Sequence, residues 1–276
     1  MKKLVLELKE NTCIARDIYK MDLLCKASDF DLKEINPGQF LHIRCGGDTL
    51  LRRPISICDL DYQKEIITIL YRVEGKGTKL LSEMLPGEMV DCLGPLGNGF
   101  PQDSLKEGDT ALIIGGGIGV PPVYLHAKEL AKKGIKVKAV IGFNSKDDVF
   151  LEKEFAELGE VEVATMDGSH GHKGLLTELI DKNNPACKFP DWDALYTCGP
   201  TPMLKALQSL FEDDERASFM SLEERMGCGI GACLACVCHP KEGFDLSQAL
   251  NTWEKSYKRS CCEGPVFKLQ EVALGG

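Results

Sequence analysis

The distribution of cysteines constrains this sequence more than any other feature. Of 13 cysteines in 276 residues, six lie between positions 228 and 262, and the other seven are scattered over the preceding 227 positions. Glu7 and Lys9 interrupt the region where a secretory signal needs an unbroken apolar run, so we expect no export and no disulfide framework. Clustered thiols in such a chain indicate a metal centre bound by thiolates near the carboxyl terminus.

The spacing of the clustered cysteines indicates which centre this is. Cys228, Cys233 and Cys236 form the pattern C-x4-C-x2-C, and a further cysteine follows at Cys261 or Cys262. This arrangement is typical of plant-type 2Fe–2S centres. The intervening glycines allow a tight loop whose N–H groups point at sulfur atoms. Two alternatives stay open on spacing alone: a zinc site, which favours two short C-x2-C pairs, and a set of buried free thiols.

The first hundred residues have the pattern of an antiparallel β domain. Residues 66–73 are rich in β-branched and aromatic side chains, and residues 40–44 alternate between apolar and polar. Turn signals separate such segments at Asn36-Pro37-Gly38, Pro86-Gly87 and Gly94-Pro95. Several short strands at this spacing predict a small antiparallel barrel.

From about residue 101 the pattern changes to strands that alternate with helices. Strands are predicted at 111–114, 137–142, 161–165 and 193–197, and helices at 123–133, 148–158, 175–182 and 202–211. This alternation is typical of a doubly wound parallel sheet. We therefore predict three domains: a β-barrel over 1–100, an α/β domain over 101–217 and a small metal-cluster domain over 218–276.

Charge and hydropathy exclude two classes of protein. The net charge is −9, from 33 basic and 42 acidic residues, which argues against a nucleic-acid-binding surface. No run of eighteen apolar residues is present, so we expect no membrane span and a cytoplasmic protein. The predicted cluster domain has only a marginal core of its own, which a bound metal cluster would help to hold.

Basic motifs and a glycine turn accompany the predicted barrel strands. Arg52-Arg53-Pro54-Ile55-Ser56 lies on one strand, Leu70-Tyr71-Arg72 lies on the next, and Gly75-Lys76-Gly77-Thr78 precedes a helix predicted at 79–84. An arginine fork suits a pyrophosphate, and the N–H groups of a helix N-terminus suit the same phosphates. Taken singly, each motif is as typical of a solvated strand face or a capped turn.

Two strand-to-helix turns are the candidates for a dinucleotide site. The turn Gly115-Gly116-Gly117-Ile118-Gly119 departs from G-x-G-x-x-G because Val120 occupies the third glycine position, although it still leads into a helix N-terminus. The second turn is Tyr196-Thr197-Cys198-Gly199-Pro200. Turns at the carboxyl ends of parallel strands fit a ligand crevice, while the alternative is two structural turns with a buried cysteine. No arginine cluster follows the strand at 137–142, which favours NAD over NADP.

The order of these motifs resembles the ferredoxin–NADP reductase superfamily: R-P-x-S, then Y-R-V-x-G-x-G-T, then a βα domain with C-G-P-x-P-M. With the cysteine motif and C-C-E-G-P-V-F at 261–267, the whole chain resembles more narrowly the electron-transfer subunits of type B dihydroorotate dehydrogenase. Simple reductases of the superfamily end in an aromatic residue, whereas this chain continues into the cysteine-rich segment. The resemblance implies a six-stranded Greek-key flavin barrel followed by a nucleotide-binding α/β domain.

The resemblance also implies the residues that bind each group. FAD would be bound by Arg53, Pro54, Ile55, Ser56, Leu70, Tyr71, Arg72, Gly77 and Thr78. NAD would lie beside the flavin at Gly116, Gly117, Gly119, Cys198, Gly199 and Pro200. The 2Fe–2S cluster would be held by Cys228, Cys233, Cys236 and Cys261. Cys261 is preferred to Cys262 because the family's fourth cysteine stands three residues before the glycine of Gly-Pro-Val-Phe.

The function implied is that of an NAD-linked oxidoreductase subunit in pyrimidine (UMP) biosynthesis. A separate FMN-containing subunit would oxidise dihydroorotate, electrons would reach NAD⁺ through the 2Fe–2S cluster and FAD, and two copies of each subunit would form a heterotetramer. No catalytic acid or base for dihydroorotate is then expected on this chain. One alternative is the small FAD and 2Fe–2S subunit of an NADH-dependent ferredoxin–NADP oxidoreductase or a sulfide dehydrogenase. The other is a zinc-stabilised nucleotide-binding regulator without redox activity.

Overall fold

The computed structural model describes residues 2–241 and 257–274, and its first six strands close into an antiparallel barrel. These strands and one helix are β1 (Lys2–Ala15), β2 (Ile18–Leu24), β3 (Phe40–Ile43), β4 (Arg53–Asp61), β5 (Ile66–Arg72), α1 (Lys76–Ser82) and β6 (Met89–Leu96). Their order around the barrel is β1-β2-β5-β4-β3-β6. The predicted Greek-key barrel is confirmed.

Strand β3 is buried on both of its faces. Leu41 and Ile43 lie in the barrel core, because side chains at alternate positions share a face. Phe40 and His42 are on the opposite face, where a barrel strand normally meets solvent, yet both are buried. Phe40 packs there in a small cluster that includes Met226, Cys236 and Cys261. The carboxyl-terminal part of the chain therefore covers the outside of this strand.

A seven-stranded sheet follows the barrel, in the order β10-β9-β8-β7-β11-β12-β15, whose last strand, β15, is Val266–Lys268. Its elements are β7 (Thr110–Gly116), α2 (Val120–Lys132), β8 (Lys136–Phe143), α3 (Glu152–Ala156), β9 (Gly159–Thr165), β10 (His172–Lys173), β11 (Ala194–Cys198), α4 (Thr201–Leu210) and β12 (Ala217–Ser221). Neighbours from β10 to β12 pair in parallel, which confirms the predicted parallel sheet.

The predicted cluster segment contributes to this sheet as well as to a small one of its own. The boundary predicted between 217 and 218 falls inside β12, and β15 (Val266–Lys268) pairs antiparallel with β12. Strands β13 (Val237–Pro240), β14 (Lys258–Arg259) and β16 (Val272–Ala273) form the order β14-β13-β16. Residues 242–256 of the predicted third domain lie outside the described residues. The division into three domains stays a prediction.

Two predicted helices are shorter than expected. The segment 148–158 yields only α3, because Leu151 just before it has a left-handed φ of 62°. The helix predicted at 175–182 is wrong: it is a single 3₁₀ turn over Leu176–Leu179. The carbonyl of Leu179 accepts hydrogen bonds from the N–H groups of Lys188 and Phe189, so the chain turns away. No helix in the described part of the chain combines the length and apolarity needed to cross a bilayer.

Barrel and sheet are packed against each other through helix α2. Ile18 and Leu70 of the barrel share one buried cluster with Tyr124 of α2 and Phe155 of α3. Beside that cluster, Nζ of Lys128 lies 2.6 and 2.8 Å from the two carboxylate oxygens of Asp59. The barrel strands and the carboxyl edge of the sheet therefore keep a fixed relation, which places the two candidate cofactor regions side by side.

The buried amide of Gln208 gives a stability prediction for the carboxyl-terminal segment. Its Nε2 donates to the carbonyl oxygens of Leu269 at 2.6 Å and Val272 at 2.9 Å. We expect Gln208→Ala to lower the free energy of unfolding by about 1–3 kcal/mol, because two buried carbonyls lose their donor. The exposed Gln63→Ala is the matched control, and a change within about 0.5 kcal/mol is expected there. Equal losses in urea denaturation would contradict this role of Gln208.

Candidate functional site

A cavity of about 620 Å³ lies between the barrel and the carboxyl edge of the central sheet. Such a volume is in the range of small-molecule and cofactor sites. Eight of the nine residues predicted to bind FAD line it: Arg53, Pro54, Ile55, Ser56, Leu70, Tyr71, Arg72 and Thr78. They come from the neighbouring strands β4 and β5 and from the first turn of α1. The structure therefore brings the predicted flavin residues into one place.

The ninth residue, Gly77, lies against the arginine fork. Helix α1 begins at Lys76, three residues before the predicted start, so Gly77 and Thr78 belong to its first turn. A Cβ at Gly77 would be 3.1 Å from Nε of Arg53, so the first turn of α1 lies close against the guanidinium. N–H groups in a first helical turn have no intrahelical acceptor. A cation and free N–H donors thus lie together, as a pyrophosphate requires.

Two residues of this region have structural roles instead. Arg52 binds strand β6, with Nη2 donating to Oδ1 of Asp91 at 2.8 Å and Nη1 to its carbonyl oxygen at 3.0 Å. Tyr71 directs its ring into the barrel core, and its hydroxyl donates to Oδ1 of Asn11 at 3.0 Å. Both arginines line the cavity, but Arg52 is fixed to β6 by Asp91, which leaves Arg53 as the stronger candidate for a phosphate.

The two predicted nucleotide turns are in direct contact. Strands β7 and β11 are neighbours, and Cys198 pairs with Gly115 at their carboxyl ends. A Cβ at Gly119 would lie only 2.5 Å from the carbonyl carbon of Cys198 and from the N atom of Gly199. Gly116 in turn lies against Pro200. The predicted NAD residues thus meet at one edge of the sheet, where a ligand crevice is expected.

The nucleotide turns also border the flavin cavity. Ile118, in the turn before α2, and Pro121 and Pro122, in the first turn of α2, line that cavity. Gly117 has a left-handed φ of 53°, and a Cβ there would be 3.2 Å from Nη2 of Arg72 on barrel strand β5. The flavin and nicotinamide regions therefore share a wall, so that bound rings can meet.

Glu223, on the segment that follows β12, also lines the cavity, although no sequence motif predicted it. Glu223 is solvent-exposed at the cavity surface. The protein atoms around it and the charge of Glu74 raise the pKa of this carboxyl, and the cation of Arg72 acts in the opposite direction. Burial also raises the pKa of Cys198, and the charge of Glu223 adds to that rise. The thiol at the candidate nicotinamide site is therefore protonated. The carboxyl end of β12 was the available signal, because ligand residues of parallel sheets lie there.

The three motif cysteines lie in a loop whose N–H groups point at sulfur. Sγ of Cys228 accepts from the N–H groups of Ile230 at 3.4 Å, Ala232 at 3.3 Å and Cys233 at 3.4 Å. Sγ of Cys233 accepts from the N–H of Cys228 at 3.3 Å. Gly229 and Gly231 have left-handed φ values of 70° and 79°, which turn these N–H groups inward. The backbone of the loop alone thus supplies N–H donors to the sulfur atoms of Cys228 and Cys233.

These donors favour the thiolate form, which is the form that binds metal. Burial opposes ionisation of Cys228, but the N–H groups of Ile230, Cys233 and Ala232 outweigh it and lower its pKa to about 7. A hydrogen bond from Cys261 lowers the pKa of Cys236 to about 6.

Over residues 2–241 and 257–274, no three Cys, His, Asp or Glu side chains surround a position for one metal ion. A 2Fe–2S cluster divides its thiolates between two irons.

Cys261 and Cys262 differ in how they meet the loop. Sγ of Cys261 accepts from the N–H of Gly231 at 3.1 Å, and Cys261 is buried. Sγ of Cys262 lies 3.7 Å from Sγ of Cys261, and this residue is partly exposed. Only Cys261 thus takes part in the N–H pattern of the other motif cysteines. This favours Cys261 as the fourth ligand, as predicted.

Comparison with known proteins identifies the family. The profile described as the iron-sulfur cluster binding domain of dihydroorotate dehydrogenase B matches residues 223–273. The dihydroorotate dehydrogenase B (NAD(+)) electron transfer subunit of Geobacillus sp. (strain WCH70) is 52% identical over 264 residues, which is 95% of either chain. The chain belongs to this family. The subunit of the same name from Bacillus mycoides (strain KBAB4) is 50% identical over 263 residues, again 95% of either chain.

The family assignment agrees with the fold seen in solved structures. An NADH-dependent reduced ferredoxin-NADP oxidoreductase, described in connection with flavin-based electron bifurcation, superimposes with a TM-score of 0.80. The two chains are 29% identical, and the match covers 98% of this chain and 90% of that one. The superposition therefore extends over nearly the whole of this chain.

The two adjacent cysteines give a prediction about the fourth ligand. We expect Cys261→Ser to remove most of the iron and acid-labile sulfide, because Cys261 alone accepts the N–H of Gly231. The matched variant Cys262→Ser should keep at least about nine-tenths of both, since partly exposed substitutions away from ligands are tolerated. Iron and sulfide analysis of anaerobically purified protein measures the difference. Loss of iron in Cys262→Ser, with retention in Cys261→Ser, would reverse the assignment.

Proposed function

We propose that this chain is the electron-transfer subunit of an NAD-linked dihydroorotate dehydrogenase, and that it carries FAD and a 2Fe–2S cluster between an FMN-containing partner and NAD⁺. One observation supports this most directly. Phe40 and Met226 line the flavin cavity, and the same two side chains pack against Cys236 and Cys261. The candidate cluster ligands are thus one side-chain layer from the flavin cavity, a short separation for electron transfer.

On the flavin side, the residues of the chain bind and orient. Arg53 and the first turn of α1 would neutralise and bind a pyrophosphate, as their contact at Gly77 allows. Ser56 would offer a hydroxyl to the ring system, and Phe40 with Met226 would exclude water on the side of the cysteines. Arg72 connects this site to the glycine turn at Gly117.

On the nicotinamide side, the chain supplies a narrow crevice. The contact between Gly119 and Cys198 fixes its floor, and the glycine turn before α2 forms its wall. When bound, FAD would supply the exchange between single electrons and a hydride, and the cluster would supply one-electron transfer. The thiol of Cys198 stays protonated beside that site, since burial raises its pKa.

The proposed roles of the two subunits can be tested directly by reduction of the flavin. Anaerobic NADH should bleach the flavin of the full chain within a few turnovers, whereas dihydroorotate alone should leave the visible spectrum unchanged. The physical reason is that no acid or base for dihydroorotate is expected on this chain, so its oxidation needs the partner. Adding the FMN-containing subunit should make dihydroorotate effective. Rapid bleaching by dihydroorotate without the partner would refute the proposal.

A second candidate function is the small subunit of an NADH-dependent ferredoxin–NADP oxidoreductase. The TM-score of 0.80 to such a protein favours it. The identity of 52% over 95% of the chain to an electron transfer subunit of dihydroorotate dehydrogenase B outweighs that similarity. Mass spectrometry of the co-purified partner distinguishes the two. A large iron–sulfur flavoprotein would support the second candidate, and an FMN barrel the first.

The partner would meet the chain at the exposed side of the cysteine loop. Cys233 is exposed there, and Ile230 and Leu234 beside it are each 46% exposed. An exposed apolar pair next to a redox centre is typical of a docking surface. We infer a cytoplasmic complex of two copies of each subunit, with this face of the chain turned toward the FMN-containing partner.

A negative charge introduced on this face should weaken assembly with the FMN-containing subunit. We expect Ile230→Asp and Leu234→Asp each to reduce affinity for the FMN-containing subunit at least tenfold, about 1.4 kcal/mol, because an apolar contact is replaced by a desolvated charge. Leu175→Asp is the matched control, because Leu175 is 53% exposed but lies on the central sheet domain. Sedimentation or calorimetry measures affinity, with iron content checked in parallel. Equal affinity in all three variants would exclude this face.

A further inference from the structure

A second cavity, of about 440 Å³, lies between the outer face of the barrel and helix α3. Apolar side chains form part of its wall: Ile66 and Leu70 of β5, and Phe150 and Leu151 just before α3. Leu70 also lines the flavin cavity, so this side chain lies between the two cavities. It is also the one residue of the second cavity that the sequence predicts to bind FAD, NAD or the cluster. The second cavity therefore has a chemistry of its own.

Tyr124 of α2 supplies this cavity with a hydroxyl that has no partner among the described residues. The residue lines the cavity but is only 7% exposed, and its ring packs against Phe155, with 5.2 Å between the ring centres. No residue within 2–241 or 257–274 makes a hydrogen bond with the hydroxyl. Among the charges that act on it are those of Asp59 and Glu154, which line the cavity too. Because an unsatisfied hydroxyl in the interior is costly, this group is available to a ligand.

The cavity also has one carboxylate without a cation. Three of the carboxylates that line it are each paired with a lysine, with nitrogen and oxygen no more than 3.1 Å apart: Asp22 with Lys20, Asp59 with Lys128 and Asp61 with Lys64. The fourth is Glu154, an exposed residue of α3. In the described part of the chain it has neither an ion pair nor a hydrogen bond. One negative charge at the cavity is therefore left uncompensated.

Two buried groups at the cavity have pKa values that respond to this negative charge. Burial raises the pKa of Tyr124, and the charges of Asp59 and Glu154 raise it further. The thiol of Cys58, which is 1% exposed, also lines the cavity, and burial and the same two carboxylates raise its pKa. Negative charges act in this way because they disfavour a second anion nearby. The cavity thus favours a cation and disfavours an anion.

We propose that this cavity binds a small organic amine, with its ammonium group between Glu154 and the hydroxyl of Tyr124 and its hydrocarbon body against the apolar wall. An ammonium has three donors and no acceptor, which suits a carboxylate and a hydroxyl oxygen. A metal ion fits less well, because no three Cys, His, Asp or Glu side chains of the described residues surround a position for one. A bare ammonium ion would leave the apolar wall uncovered. The site does not depend on the redox function proposed above.

The test uses the full chain with its flavin and cluster bound, and three probes that differ only in the head group. They are 2-cyclohexylethylamine, 2-cyclohexylethanol and 3-cyclohexylpropanoate, whose saturated ring does not stack on a flavin. Calorimetry near neutral pH measures the affinity of each probe. Glu154→Gln removes the charge, and Tyr124→Phe removes the hydroxyl but keeps the ring against Phe155. Glu160→Gln is the matched control, because Glu160 is exposed on β9 and does not line the cavity.

We expect the wild type and Glu160→Gln to bind the amine at one saturable site, and the carboxylate probe not to bind. Glu154→Gln and Tyr124→Phe should each bind the amine about fivefold more weakly, and the wild type should bind the alcohol about tenfold more weakly than the amine. If Tyr124→Phe fails to fold, the exposed Glu154→Gln still decides. Equal affinity of the wild type for amine and alcohol, equal affinity of Glu154→Gln and wild type for the amine, or no saturable binding of the amine would each overturn the proposal.

Discussion

The packing of the cysteine segment on the outer face of β3 is the contact on which the arrangement of the molecule depends. Barrel strands usually bury one face, but Phe40 and His42 are covered as completely as Leu41 and Ile43 behind them. Through this contact the flavin cavity and the candidate ligands share Phe40 and Met226. A second connection supports it, because the N–H of Asn98 at the end of the barrel donates to the carbonyl oxygen of Gly264 at 2.6 Å.

The sequence predicted the barrel, the parallel sheet and the order of the three regions because each has its own periodicity. The strand pattern of residues 66–73 and the glycine turn after β7 are local signals, and the folded chain has the elements that they predict. The predicted site residues were found in the same way, as short motifs at strand ends. The structure adds their convergence, which brings residues from barrel and sheet to one cavity.

What the sequence did not predict depends on distant contacts. The segment 175–182 has helical apolar spacing, but Lys188 and Phe189 take the carbonyl of Leu179 and end the turn. Strand β15 pairs with β12 across a long stretch of chain, so no local pattern predicts it. Glu223 and His42 likewise give no signal in their own segments, because their contacts come from residues that are distant in the sequence.

The pairing of β12 with β15 has a consequence for how this chain can vary. The backbone leaves the central sheet at Ser221 and returns at Val266, and these two residues are register partners on adjacent strands. The cysteine segment is therefore an excursion whose entry and exit points are neighbours, much like the stem of a hairpin. Insertions, deletions or a different metal-binding module could be accommodated between those points while the stem stays paired. The central sheet thus fixes both ends of the cysteine segment.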